Sequence, residues 1–231
     1  MTFGRYVGNI SSRFDATELM AQLASVPQWL DAGQVLPLSD GHDQVLKSDL
    51  VMGGQAVSVA IKVFGRQSLF KDWFDRRNGS KAARSYHAGA FLYQKALGTA
   101  EPIAWLDRWD DGRLVESYYL CIHVAAPCFR DALIQIYEQE QNNAGMMALL
   151  HKVAPALRRL HEAGFMHGDL GNQNILVPKS SAGTYLEPLF IDLNRSQYAS
   201  APLGDRERAH DLARIALPGA YLEIFKMIYN N

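Results

Sequence analysis

The sequence predicts an α+β chain in two lobes, a small antiparallel sheet followed by a mainly helical second half. Three observations predict it. A β-branched run, Gln55 to Phe64, is bounded by Gly53-Gly54. Met146, Leu150, Val153, Leu157 and Leu160 recur at three- and four-residue intervals, the period of a helix with one buried face. Two short apolar segments, Asn174 to Val177 and Leu189 to Ile191, flank a polar stretch containing Ser180, Ser181 and Gly183, which reads as a hairpin. With 231 residues, 48% of them hydrophobic and 20% charged, the chain can bury a sizeable core, and intrinsic disorder is excluded.

Taken in order, Asp15 or Thr17 caps a first helix to about Ala24, with Leu19, Met20 and Leu23 on its packing face and Pro27 against its continuation. Gln44-Val45-Leu46 and Gln55 to Phe64 make two antiparallel strands joined by a tight turn at Met52-Gly53-Gly54. Lys71, Arg76, Arg77, Lys81 and Arg84 form a basic stretch broken at Asn78-Gly79, either a surface for an anionic partner or a solvated face. A helix from Ser80 to about Leu97 places Tyr86, Ala90, Tyr93 and Leu97 near one face and ends at Gly98, which suits a C-cap. Ser117 to Val124 resumes strand character and Pro127 marks a hinge. The lobes are therefore residues 1–124 and 125–231, joined near His123 to Pro127. The long second-lobe helix runs to about Glu162 and stops at Gly164, with a kink expected at Pro155. The chain ends abruptly at Tyr229-Asn230-Asn231, which reads as an incomplete C-terminus.

Charge and cysteine content narrow the partners. Lys plus Arg number 23 against 24 Asp plus Glu, and the pI is about 6.7, so there is no global basic field and no nucleic-acid partner is expected. Cys121 and Cys128 fit neither a CxxC pair nor a disulfide framework. Residues 1–12 lack the features of a signal peptide, and no run approaches the roughly 18 apolar residues of a membrane span. The cytosol is the expected compartment, and any membrane role is a peripheral one.

The chemistry concentrates in His167-Gly168-Asp169-Leu170-Gly171-Asn172-Gln173-Asn174 and in Phe190-Ile191-Asp192-Leu193-Asn194. Phosphoryl transfer needs a carboxylate to orient the attacking hydroxyl and accept its proton. It also needs oxygen ligands for the magnesium that bridges the nucleotide phosphates. Asp169 suits the first role, and Asn174, five residues on, and Asp192, after the hairpin, suit the second. Val59-Ala60-Ile61-Lys62 reproduces the V-A-I-K strand motif 107 residues before Asp169, so Lys62 is the candidate for holding the phosphates. Lysine strand, helix, hinge, long helix, catalytic loop and metal aspartate follow one another in the order a two-lobed kinase requires. His167, next to a carboxylate already ionised at neutral pH, is expected to hold the loop by bonding backbone rather than to move a proton. His42, His151, His161 and His210 form no H-E-x-x-H pattern and are assigned to packing or solvent contact.

These motifs, with Leu160-His161-Glu162-Ala163-Gly164, Ser80 to Tyr86, Gly98 to Ala104 and Ile191-Asp192-Leu193-Asn194-Arg195, resemble the lipopolysaccharide core kinases. That Kdo and heptose kinase family lies within the protein-kinase-like superfamily, and the resemblance covers roughly Gln44 to Arg214. It implies a two-lobed protein-kinase-like fold, ATP and Mg²⁺ as cofactors, and a sugar hydroxyl of the lipopolysaccharide inner core as acceptor. It further implies action at the inner face of the cytoplasmic membrane. Asp211 is, on the resemblance, an acceptor for catalytic-loop N–H groups; read alone it is an exposed helix-cap aspartate.

The departures are specific. Gly168 stands where many regulated protein kinases carry an arginine, and Gly171 where a lysine is common, which leaves Arg195 as a candidate cation for the transferred phosphoryl group. No G-x-G-x-x-G precedes Lys62, and the helix after it contains no acid to pair with that lysine, so His87 or a residue elsewhere must do so. Two other functions compete. A small-molecule kinase of aminoglycoside-phosphotransferase type shares H-G-D-L but not the I-D-L-N-R continuation. A nucleotide-binding pseudokinase fits the missing elements but not the joint presence of Lys62, Asp169, Asn174 and Asp192.

Overall fold

The computed structural model describes residues 2–31, 35–39, 43–65 and 68–231. The chain forms two compact units, Met1–Ala90 with Glu101–His123, and Phe91–Ala100 with Val124–Asn231.

The first unit is built on a seven-stranded antiparallel sheet. Its strands are β1 (Thr2–Phe3), β2 (Tyr6–Ile10), β3 (Leu36–Ser39), β4 (Gln44–Met52), β5 (Gln55–Val63), β6 (Pro102–Asp110) and β7 (Arg113–Ile122), in the spatial order β1-β2-β6-β7-β5-β4-β3. The β4–β5 turn falls on Gly53-Gly54 as expected, both residues having positive φ, the geometry that matches the twist of a two-residue hairpin. The sheet has four more strands than periodicity alone predicted. Asp111-Gly112, at φ 42° and 77°, closes a second such hairpin between β6 and β7. On β2, Gly8 is required by close approach, since a Cβ there would lie 2.0 Å from the Trp105 carbonyl oxygen. Tyr6, Leu19, Leu23, Val26, Leu50, Val59, Ile61, Ile103, Leu106 and Leu120 fill the core under one sheet face.

Helix α1 (Ala16–Ala24) is capped by Asp15, whose carboxylate accepts the Thr17 N–H at 2.8 Å. Leu19 and Leu23 are buried, but Met20 faces solvent, a correction to the expected packing face. Pro27 does not end the helical region. It lies in the first turn of α2 (Val26–Asp31), where a missing N–H costs no helical bond.

Helix α3 (Leu69–Asn78) is turned inside out. Asp72 and Asp75 are buried, on Arg113 Nε (2.6 Å) and Arg84 Nη1 (2.8 Å), while Trp73 and Phe74 are 50% and 46% exposed. The Arg77 guanidinium lies over the Trp73 ring, 4.4 Å from its centroid. Ser80 then caps α4 (Lys81–Gln94) by accepting the Ala83 N–H.

The second unit takes up the end of α4. The expected C-cap at Gly98 is corrected: Ala96 adopts the left-handed conformation (φ 53°), and Gly98 is glycine because the Pro188 carbonyl occupies the place of a side chain. Helix α5 (Phe129–Ile134) continues as a π-helical turn, Gln135–Glu140, before α6 (Asn143–Glu162). All five periodic residues that predicted α6 are buried, and the helix runs on through Pro155, which forgoes only its own bond to the His151 carbonyl. Two small ladders follow, β8 (Phe165–Met166) with β11 (Gln197–Tyr198), and β9 (Ile175–Leu176) with β10 (Leu189–Phe190). Helices α7 (Asp205–Leu212) and α8 (Tyr221–Asn230) close the unit, α8 burying Phe225 and Tyr229.

Candidate active site

The loop after β8 is held from beneath by one buried carboxylate. Asp211, near the end of α7, accepts the His167 N–H on Oδ2 at 2.8 Å and the Gly168 N–H on Oδ1 at 2.9 Å. His161 Nε2 is 3.2 Å from the same Oδ2, and its Nδ1 is 2.6 Å from the Tyr229 hydroxyl. With Nε2–H donating and Nδ1 accepting, every polar atom of this chain is satisfied. Burial by itself would raise the Asp211 carboxyl, but the hydrogen bonds from His161 and from the His167 and Gly168 N–H groups outweigh it and hold it below the ordinary range.

Tight backbone geometry then aims the loop. Gly164 has φ 79°, and a Cβ there would lie 2.4 Å from the carbonyl oxygens of both Ala199 and Ala201. Gly168 has φ 75°, and its Cβ would meet the Arg195 carbonyl oxygen at 2.6 Å. Glycine rather than arginine at 168 is therefore a steric requirement of this loop. His167 is buried, with Nε2 donating to the Ile191 carbonyl (2.9 Å) and Nδ1 receiving the Asp169 N–H (3.3 Å). Burial lowers its pKa and favours the neutral ring that this bonding needs. It ties the loop to the hairpin, as its sequence context suggested.

Asp169 stands between two arginines. Arg195 Nη1 is 3.1 Å from Oδ2 and Arg214 Nη1 is 2.8 Å from Oδ1. The side chain is 16% exposed, whereas the arginines are 63% and 54% exposed. Arg214 lies close to Oδ1 but off the hydrogen-bond direction, so among the described residues no donor is aimed at this buried oxygen. A lone pair held in that way can accept a proton from an incoming hydroxyl.

Asn174 sits at the end of a 3-10 turn, Asn172–Asn174, and donates Nδ2 to the Asp169 carbonyl at 2.7 Å, which leaves its Oδ1 as the ligand atom. Asp192 follows β10 in the left-handed conformation, φ 62°, with Asn194 Nδ2 bonded to Oδ1. Its backbone is tied in by the Ile191 N–H, which donates to the Asn174 carbonyl at 3.0 Å. The second unit thus brings Asp169, Asn174 and Asp192 onto one loop and hairpin. Among the described residues no group of three or more His, Cys, Asp or Glu is arranged to hold a metal ion. An amide oxygen with one carboxylate fits a cation that draws its remaining ligands from phosphate and water, as Mg²⁺ does.

Lys62 belongs to the first unit, on β5 opposite Val45 and Tyr119. Its ammonium is 5.3 Å from the Phe64 ring centroid. Of the remaining histidines, His87, His151 and His210 are exposed, and His42 lies outside the described residues, as does the side chain of Lys71. Sequence reading gave His161 only a packing role and passed over Tyr229 and Arg214, because their partners are long-range. The one local signal was Arg214 three residues after Asp211 in a candidate helix.

A loop whose backbone is clamped by the buried Asp211 carboxylate carries the Asp169 carboxylate. Followed by two oxygen donors on a hairpin, this is how a protein-kinase-like phosphotransferase is organised, and the chain is a kinase with that fold. Residues 128–218 match the family model described as "Lipopolysaccharide kinase (Kdo/WaaP) family". Among solved structures it is similar to a WaaP determined in complex with acyl carrier protein, at 18% sequence identity and a TM-score of 0.65. The match covers 97% of this chain and 88% of that one. No curated protein matches.

Proposed function

We propose that the protein transfers the γ-phosphoryl group of ATP to a sugar hydroxyl, Kdo or heptose, of the lipopolysaccharide inner core. The observation that carries the reading is the half-buried Asp169 carboxylate, flanked by Arg195 and Arg214 on a loop that also carries Asn174. Asp169 orients the acceptor hydroxyl and receives its proton. Arg195, beside that carboxylate, serves as the cation for the transferred phosphoryl group, the role left open by Gly171. Lys62 holds the nucleotide phosphates, and Asn174 and Asp192 are the ligands for Mg²⁺. When bound, the ion neutralises phosphate charge and fixes the phosphates in line for attack. Most of the rate enhancement is then positioning and charge stabilisation.

Helix α3 supports a peripheral membrane location, where such an acceptor resides. Its acids are turned inward onto arginines, and it offers solvent two aromatic rings beside Arg76 and Arg77, the composition of an interfacial contact. No helix among the described residues is long and apolar enough to span a bilayer. The test is radiolabelled phosphate transfer from ATP to a panel of lipopolysaccharide cores bearing Kdo or heptose, with aminoglycosides as the contrasting acceptors. Label on the core sugar that depends on Asp169 is expected. Label on aminoglycosides alone would assign the chain to small-molecule phosphorylation. Because the similar WaaP was solved with acyl carrier protein, the assay is run with and without that protein.

A further inference from the structure

Arg214 reaches Asp169 from outside the loop and hairpin that carry the other site residues, and its backbone is fixed on both sides. Three residues before it, Asp211 accepts the His167 and Gly168 N–H groups. Two residues after it, Ala216 is gripped by the Asn172 side chain, which is 8% exposed. Asn172 Nδ2 donates to the Ala216 carbonyl at 2.6 Å, and its Oδ1 accepts the Ala216 N–H at 3.2 Å. Ile215, between them, is buried, and its N–H donates to the Leu212 carbonyl at 3.0 Å. The turn that follows α7 is therefore clipped to the loop just before Asp169 and again just after it, and Arg214 lies between the two clips.

That mounting sets the guanidinium against one particular oxygen. Arg214 Nη1 is 2.8 Å from Asp169 Oδ1, whereas Arg195, from the turn led by Asp192, is 3.1 Å from Oδ2. The Arg214 side chain is 54% exposed, and a guanidinium has five N–H donors in a rigid fork. A hydroxyl that gives its proton to Asp169 must come within about 3 Å of a carboxylate oxygen. Substituents on the carbons beside that hydroxyl then fall within reach of Arg214. The planar fork matches a carboxylate or a phosphate through two parallel bonds, and an ammonium in the same place would meet like charge.

We propose that Arg214 is the specificity-determining residue for the acceptor: it pairs with an anionic group, a carboxylate or a phosphate, carried on the sugar next to the hydroxyl that Asp169 engages. This rests on the sugar-acceptor reading above and gives a task to a residue that reading leaves without one.

The experiment measures phosphoryl transfer by the full chain and by its Arg214→Gln and Arg214→Lys variants on matched acceptors. One pair is a core sugar with its carboxylate free or reduced to the alcohol; the other is a core sugar with or without a phosphate substituent. The quantity read is the preference in kcat/KM for the acidic over the neutral member, in which any general effect on Asp169 cancels. Arg214→Gln is expected to lower that preference about tenfold or more, the scale of one charge-assisted pair, chiefly through the KM of the acidic acceptor. Arg214→Lys should recover part of it, since the charge is kept and the fork is lost. A response in the first pair identifies a sugar acid and a response in the second a phosphate, and either supports the proposal. A purely structural role would lower the melting temperature and the rate on both members alike, and tuning of Asp169 alone would shift the pH–rate profile on both alike. Equal losses across each pair, or an effect confined to the KM for ATP, overturn the proposal. If Arg214→Gln does not fold, Arg214→Lys carries the same comparison. A wild type that labels core sugars with no preference for the acidic member overturns this inference alone, whereas label on no core sugar overturns it together with the acceptor reading.

Discussion

Asp211 reaches across 44 residues of sequence to accept the backbone N–H of His167 at 2.8 Å, and its other oxygen accepts the next N–H in the loop. The loop that carries Asp169 is therefore positioned by a side chain from a later helix, itself anchored through His161 to Tyr229 on α8. Asp211→Asn puts an N–H₂ where one oxygen accepted, so one loop N–H or His161 loses its partner inside the protein. We expect a loss of roughly 3 kcal/mol in stability. Folded-state depression of this carboxyl means that its contribution is present above its unfolded value of 3.8 and disappears as pH falls through the lower folded value. Thermal melts from pH 3 to pH 7 check this: the gap between wild type and variant should narrow at the acid end.

Gly168 carries two constraints at once, a φ of 75° and the Arg195 carbonyl 2.6 Å from where a Cβ would stand. Gly168→Ala should therefore cost about 1–3 kcal/mol in stability and shift the adjacent Asp169 enough to reduce kcat. Restoring the arginine common in regulated kinases, Gly168→Arg, should be worse and gain nothing. Soluble, fully active Gly168→Arg protein would show that the loop tolerates another path.

Legibility in the sequence followed the range of the interactions. Gly53-Gly54, the α6 periodicity and the hairpin before Asp192 were readable because their causes lie within a few residues. Asp111-Gly112 was an equally local signal for the β6–β7 hairpin, obscured by the charged residues around it. Exposure of Trp73 and Phe74 ran against composition, because pairing with Arg113 and Arg84, which the fold sets, offsets the cost of burying Asp72 and Asp75. The roles of His161, Tyr229 and Arg214 likewise depend on how α6, α7 and α8 assemble.

Asp107 is 2% exposed, and burial lifts its carboxyl to about 6, against the opposing hydrogen bonds of Ser80 and Ser117 and with Asp75 adding to the rise. For an acid raised in the folded state, the native protein holds the proton more tightly than the unfolded chain. Stability is then fully favoured below 3.8 and lost as pH rises through about 6, amounting to about 3 kcal/mol by neutral pH. Asp107→Asn keeps an oxygen for the Ser117 hydroxyl, which donates at 2.7 Å, and removes the charge. The variant should melt several degrees above wild type at pH 8, with the advantage gone by pH 4. A constant difference across that range would locate the effect in packing rather than ionisation.

Asp169→Asn separates proton acceptance from everything else at the site. Asparagine matches aspartate in shape, keeps an oxygen beside Arg195 or Arg214, and preserves the main-chain carbonyl that fixes Asn174. What it cannot do is take the acceptor's proton as phosphorus–oxygen bond formation proceeds. General-base assistance is worth roughly 10²–10⁴ in rate, so kcat should fall by about that factor while the dissociation constant for ATP changes by no more than about twofold. Lys62→Ala, which removes a proposed phosphate contact instead, should damage nucleotide affinity and kcat together. The informative measurement is single-turnover transfer at saturating ATP, because it excludes product release. Near wild-type transfer by Asp169→Asn in that assay would take the base assignment away from this residue, and a large rise in the ATP dissociation constant would recast Asp169 as a nucleotide ligand.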